Sequence, residues 1–187
     1  MDHKAVVREW GRILEAFFAS RSGAYGRAAE ACLRALGAGR KILVFGNGGS
    51  AAEAQHFAAE LVNKFLKPRA PLRAVALTTD TSVLTSVGND VSFAAVFRRQ
   101  VEALGEPGDV ALALTTSGRS PNVVEGLAAA REKGLVTIAL TGDGGASVAP
   151  LADILLDVPS ASTPRIQEIH LYLLHRLAED IESKLSG

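Results

Sequence analysis

The sequence predicts an α/β fold, a parallel sheet of about five strands flanked by helices in a flavodoxin-like three-layer arrangement. A helical N-terminal part over residues 1–38 precedes it, and the whole chain, 1–187, reads as a single domain. Three observations carry this prediction. Five short apolar runs, at 41–45, 73–78, 109–114, 135–140 and 153–158, are continuous rather than alternating, as strands covered on both faces require. Helical spacing fills much of the chain between and around them. Two of the runs lead into glycine- and hydroxyl-rich turns that open helices, the place where open parallel sheets hold ligands.

The elements follow in order. Residues 4–20 place Val6, Val7, Trp10, Ile13, Leu14, Phe17 and Phe18 at helical spacing, and a second helical run, 22–36, stops at Gly37-Ala38-Gly39. KILVF at 41–45 breaks at Gly46-Asn47-Gly48-Gly49 and restarts as an alanine-rich helix with Ser50 as its expected N-cap. A strand, a glycine turn and a helix start in that order aim free N–H groups and a positive helix end at one spot, which suits a phosphate. On this helix Ala51, Ala54, Ala58, Leu61, Val62 and Phe65 form the apolar stripe. His56 and Glu60, an i,i+4 pair, lie on nearly the opposite side, facing water or a cleft. RAVALT (73–78) and DVALAL (109–114) come next. The second leads into Thr115-Thr116-Ser117-Gly118-Arg119-Ser120-Pro121-Asn122, a loop with four hydroxyls and a helix start. LVTIAL (135–140), DILLDV (153–158) and a last helix from about Pro164, capped by Thr163, complete the pattern. The last helix buries Ile166, Ile169, Leu173, Leu174, Leu177, Ile181 and Leu185. His170 falls inside that stripe and reads as a core residue, whereas His175 falls well off it.

Composition excludes several function classes. Lys plus Arg and Asp plus Glu number 20 each, with no block of like charge, which argues against a nucleic-acid surface or an anionic-membrane binder. Cys32 is the one cysteine, so there is no intrachain disulfide framework, and a reducing, cytoplasmic setting is expected. No apolar run approaches the ~18–20 residues of a membrane span.

The two loops resemble those of the sugar isomerase (SIS) family of phosphosugar-binding domains, and the likeness extends to its phosphoheptose isomerases over nearly the whole chain. It rests on GNGGSAAEAQHFAAEL (46–61), LTTDTSVLTSVGND (77–90), VFRRQVEALGEPGDV (96–110), TTSGRSPNVV (115–124), AAAREKG (128–134), LTGDGG (140–145) and RIQEIHLYLLH (165–175). The resemblance implies conversion of sedoheptulose 7-phosphate to D-glycero-D-manno-heptose 7-phosphate through an enediol, the first step toward nucleotide-activated heptose. It assigns Glu60 and His175 as the acid/base pair and His56, Glu60, Gln167 and His175 as ligands of one zinc ion. Ser50, Ser117 and Ser120 would hold the phosphate, with Thr116 nearby, and Asn47, Gly48, Gly49, Glu60, Thr115 and Gln167 would also meet substrate. Asp80, Asn89 and Asp90 are candidates for sugar hydroxyls, with turn formation and capping as the alternative. Two residues depart from the family pattern: Arg119 replaces a small polar residue, and Lys64 replaces an arginine, losing its bidentate fork.

Gln167 and His175 are eight positions apart, about 12 Å of helix rise, too far for one ion to reach from a single straight helix. If both serve one site, the simplest solution takes them from different subunits. A homo-oligomer, by resemblance a tetramer with interfacial active sites, is therefore expected. The face carrying Trp10, Phe17 and Phe18 is its expected assembly surface. The competing reading is a non-catalytic SIS domain that binds a phosphosugar or a replication-initiator protein; such a binder has no need of Glu60 or His175, and this chain has both.

Overall fold

Five parallel strands lie in the order β2-β1-β3-β4-β5 in the computed structural model, which describes residues 2–185. The strands are β1 (Ile42–Gly46), β2 (Ala74–Ala76), β3 (Val110–Thr115), β4 (Val136–Thr141) and β5 (Ile154–Asp157). The helices are α1 (His3–Gly37), α2 (Gly49–Val62), α3 (Thr81–Asp90), α4 (Val96–Leu104), α5 (Pro121–Glu132) and α6 (Thr163–Leu185), with short 3₁₀ turns at Phe93–Ala95 and Ala146–Leu151. Strand order reverses between β1 and β3, whose registers run from Ile42 opposite Val110 to Gly46 opposite Leu114. The two turns singled out in the sequence leave these two neighbouring strands, so both open into the same crevice.

Alternation along each strand divides the core into two. Ile42, Val44, Leu112, Leu114, Ile138 and Leu140 face α1, α2 and α6. Leu43, Phe45, Ala111, Ala113 and Ala139 face α4 and α5. The alanines on the second face make room for the Phe45–Phe97 pair, whose rings lie 5.1 Å apart. Gly126 completes the fit, because a Cβ there would stand 2.9 Å from the Phe45 ring.

Two expectations are corrected. The N-terminal part is one 35-residue helix, not two. Its Ser20–Gly23 stretch stays helical: Ser20 Oγ donates back to Ala16 O at 3.0 Å, and Arg21 makes a two-point ion pair with buried Asp157 of β5 at 2.5 and 2.9 Å. Burial of Phe17, Ala28, Ala31 and Cys32 on either side outweighs the roughly 1 kcal/mol that an interior glycine costs. The aromatic face of α1 packs within its own chain. Phe17 is fully buried, and Trp10 and Phe18 meet Tyr172 of α6 edge to face at 6.0 and 6.3 Å. Trp10 and Phe18 stay half-buried, and Val7, 68% exposed, is the large apolar residue that α1 leaves most open. Finally, α2 ends at Val62, which is exposed, so Phe65 belongs to the following loop and not to the α2 stripe.

The two buried single-residue readings hold. Cys32 is fully buried, and burial pushes its thiol up to about 12. His170 is fully buried in the α6 stripe, donating from Nε2 to Thr141 O at 3.1 Å, and burial holds its imidazole down to about 4.

Candidate active site

The site begins where β1 stops. Gly46 is obligatory, because a Cβ there would stand 2.7 Å from Leu114 O and 2.9 Å from Ser50 Cβ. Gly48 adopts φ +56°, ψ −121°, and acts as the N-cap of α2 without any side-chain cap. The first-turn N–H groups of α2 therefore stay available to a ligand. Ser50 is not the cap, as the sequence suggested. It sits inside the first turn, 4% exposed, because glycine takes the cap conformation that serine would resist. Gly49 lies so close to α6 that a Cβ would stand 2.6 Å from Gln167 Nε2.

The β3–α5 loop supplies the opposite wall. Thr115 Oγ1 lies 3.5 Å from Ser120 Oγ and accepts from Gly118 N at 3.2 Å. Ser120 N-caps α5 without spending its hydroxyl on the helix. Two amides lock the loops together: Asn47 Nδ2 donates to Asn122 Oδ1 at 2.9 Å, and Asn122 Nδ2 donates to Asn47 Oδ1 at 2.8 Å. Between the loops is a cavity of about 90 Å³ lined by Asn47, Ser50, Leu114, Thr115, Thr116, Ser120 and Gln167. Every lining side chain is neutral, so an anion there would be held by hydroxyls, amides and two helix N-termini.

Ser117 falls outside this cavity. With Thr116, Arg119 and Asp143 it lines an adjoining one of about 240 Å³. Asp80 accepts from Val83 N at 3.0 Å and caps α3. Asn89 and Asp90 are exposed at the end of α3, bonded to one another at 2.8 Å. None of these three lines the cradle cavity.

Helices α2 and α6 run side by side in the same direction, since Gly49 faces Gln167 and, further along, His56 faces His175. At this second level three side chains converge. His56 Nε2 is 2.9 Å from both His175 Nε2 and Glu60 Oε1, and His175 Nε2 is 3.5 Å from Glu60 Oε1. Glu60 Oε2 is buried with no hydrogen-bond partner. Burial raises the Glu60 carboxyl above the usual carboxylate range, opposed by the neighbouring His56 and His175. Two imidazole lone pairs and a carboxylate pointed at one spot form a donor set suited to a cation such as zinc. Among the described residues no other group of histidine, cysteine and acidic side chains converges in this way.

The structure thus brings His56, Glu60 and His175 together within one chain, and leaves Gln167 at the cradle with Gly49 rather than with the other three. Sequence reasoning missed Asn122, whose pairing with Asn47 is a contact between loops. It also missed Glu53, whose i,i+3,i+7 spacing to His56 and Glu60 was a usable signal. Glu53 Oε2 is buried without a hydrogen-bond partner, and burial pushes the carboxyl up to about 7.

A doubly wound domain with a neutral, amide- and hydroxyl-lined cradle at its switch point and a histidine–carboxylate cluster beside it fits the class of sugar-phosphate-handling domains. Residues 7–142 match the SIS domain family. The phosphoheptose isomerase of Geobacter sulfurreducens is 51% identical over 184 residues, covering 98% of this chain and 97% of that protein. Solved phosphoheptose isomerases from Neisseria gonorrhoeae (45% identical, TM-score 0.90) and Francisella tularensis (37%, TM-score 0.92) superpose over 96% of each chain. The chain belongs to the SIS domain family and, within it, to the phosphoheptose isomerases.

Proposed function

We propose that this chain is an aldose–ketose isomerase that interconverts sedoheptulose 7-phosphate and D-glycero-D-manno-heptose 7-phosphate. The observation that carries the reading is the spacing of the cradle and the His56–Glu60–His175 cluster along two parallel helices. Gln167 and His175 are eight residues apart on α6, about 12 Å of rise, and Gly49 and His56 seven apart on α2, about 10 Å. An extended chain advances about 1.2 Å per bond, so the seven bonds from phosphorus to C2 of a heptulose 7-phosphate span roughly 8 Å. Side-chain reach closes the remainder, and a pentose phosphate falls two carbons short.

With the phosphate seated among Ser50, Thr115 and Ser120, the reacting carbons meet the cluster. Glu60 takes the proton from C1 as His175 gives one to the C2 oxygen, leaving a neutral enediol. Return of a proton to C2 and loss of the proton on the C1 hydroxyl oxygen give the aldose. His56, Glu60 and His175 would hold a zinc ion, which would polarise the carbonyl, their ligation being labile or partial so that Glu60 and His175 stay free to move protons. The subunits would assemble as a homotetramer with interfacial sites, each Gln167 remaining at its own cradle. Retention of both Glu60 and His175 favours the enzyme over a binding module, and a cytoplasmic setting fits the buried single thiol.

The test is turnover of sedoheptulose 7-phosphate by metal-stripped protein, with and without zinc, beside Glu60→Gln and His175→Asn, with mass measured in solution. Heptose phosphate formation by wild type, lost in both variants, supports the reading. No turnover by folded wild-type oligomer in either metal state overturns it.

A further inference from the structure

Just beyond the cluster, the chain leaving α2 folds back onto α6. Glu182 accepts from three successive backbone N–H groups, Phe65, Leu66 and Lys67, at 2.8, 2.7 and 2.8 Å. Its carboxylate also stands 3.2 Å from Arg69 Nε, and both side chains are only 3% exposed. Arg69 spends its other nitrogens on backbone carbonyls, donating to Glu60 O at 2.6 Å, Leu61 O at 2.8 Å and Ala70 O at 3.0 Å. Those of Glu60 and Leu61 belong to the last turn of α2, whose carbonyls have no partner within the helix, and a cation there also suits the helix dipole.

This buried pair reaches both members of the proposed acid/base couple, one directly and the other through a neighbouring loop. Arg69 holds the backbone of Glu60 directly. Glu182 lies seven residues, two helical turns, beyond His175 and so on the same face of α6. The loop that Glu182 grips carries Phe65, which stacks on the His175 ring with centroids 5.7 Å apart and planes 28° from parallel. Among the described residues Phe65 is the ring stacked face-on against His175; its other ring neighbour, His56, meets it at 61°. A buried ion pair is a poor source of net stability compared with an apolar replacement; here Arg69 Nε meets Glu182 as an ion-pair contact without a hydrogen bond, while the other Arg69 nitrogens and the Glu182 carboxylate are anchored to backbone.

We propose that Arg69 and Glu182, acting through Phe65, are positioning residues that set the Glu60–His175 geometry and hold the cluster in a cation-binding arrangement. The inference rests on the isomerase reading for its kinetic consequence and is independent of it for its metal-binding one. The experiment compares wild type, Glu182→Gln, Arg69→Lys and Phe65→Leu as full-length oligomers. Three quantities are measured: kcat and KM for sedoheptulose 7-phosphate, zinc affinity by competition with a chromophoric chelator, and inhibition by inorganic phosphate. The expected result is about a tenfold or larger loss in kcat and in zinc affinity, as outer-shell partners show elsewhere. KM and phosphate inhibition should stay within threefold, because the cradle is at the other end of the helices. Phe65→Leu keeps the ion pair and guards against loss of fold as the explanation. If folded variants keep wild-type kcat and zinc affinity while losing only thermal stability, the pair is structural and the proposal is overturned. If zinc affinity falls in the variants but wild type makes no heptose phosphate, positioning stands and the isomerase reading fails.

Discussion

The two ends of the α2–α6 cleft are built on opposite principles. The cradle between the β1–α2 and β3–α5 loops has no ionisable side chain in its lining, only hydroxyls, amides and backbone. The cluster about 10 Å further along consists wholly of titratable groups, two of them substantially exposed at 49% and 39%. A site made of neutral dipoles binds by shape and keeps its affinity as protein groups titrate. A site made of imidazoles and a carboxylate works only in selected protonation states. Separating them would let a grip on phosphate persist while protons moved at the other end.

The comparison is broken most severely at the cluster. Glu60→Gln and His175→Asn should each lower kcat by a factor on the order of 10³, within the range for acid–base groups, and leave inhibition by inorganic phosphate unchanged. Steady-state kinetics with phosphate as inhibitor separate the two readouts. The reverse pattern is expected at the cradle. Gly49→Ala places a Cβ 2.6 Å from the Gln167 amide. It should raise KM and the phosphate inhibition constant by about a hundredfold, the cost of misplacing a binding group by about 1 Å. Zinc affinity should not change. Asn47→Ala and Asn122→Ala should each weaken phosphate binding by about 1–2 kcal/mol, as expected when a buried or half-buried amide loses its partner. The double variant should cost little more than either single one, and full additivity in that cycle would show that the amides act separately.

A smaller effect sharpens the contrast between two histidines of one helix. His170 is neutral and fully buried, with its imidazole held down to about 4, against the usual 6.5 when unfolded. Below pH 6.5 the unfolded chain takes up a proton that the folded chain refuses. The stability tied to His170 is thus complete above 6.5 and is lost as pH falls toward 4, about 3 kcal/mol in all. In His170→Leu, urea unfolding at a series of pH values should show a flatter decline over that window. Its kcat at pH 7 should match wild type, because His170 bonds to Thr141 O and not to the cluster. An unchanged pH slope would remove His170 as the cause.

What was legible in the sequence was local or periodic. The glycine turn, the hydroxyl loop, the five strands and the placement of His170 inside the α6 stripe all follow from neighbours within a few positions. The failures came where tertiary packing overrules local signal. Ser20–Gly23 reads as a break, yet Arg21 is pinned to Asp157 and the helix runs through. The contacts of Trp10 and Phe18 with Tyr172 carry no local signal, because that partner is more than 150 residues away. Gln167 shares a motif with His175 but faces the other end of the cleft, since helix rise separates what sequence places together. Glu182 carries no sequence signal at all, because its partners are three consecutive backbone amides at least 115 positions earlier.

The lone thiol of Cys32 has a consequence outside catalysis. It is sealed between α1 and the sheet and held protonated, so neither an alkylating reagent nor a disulfide can react with it until α1 lifts away. The chain therefore carries its own clock. The rate at which added reagent consumes one thiol per subunit reports how often the longest helix opens, with no probe to engineer and no competing cysteine to confuse the count.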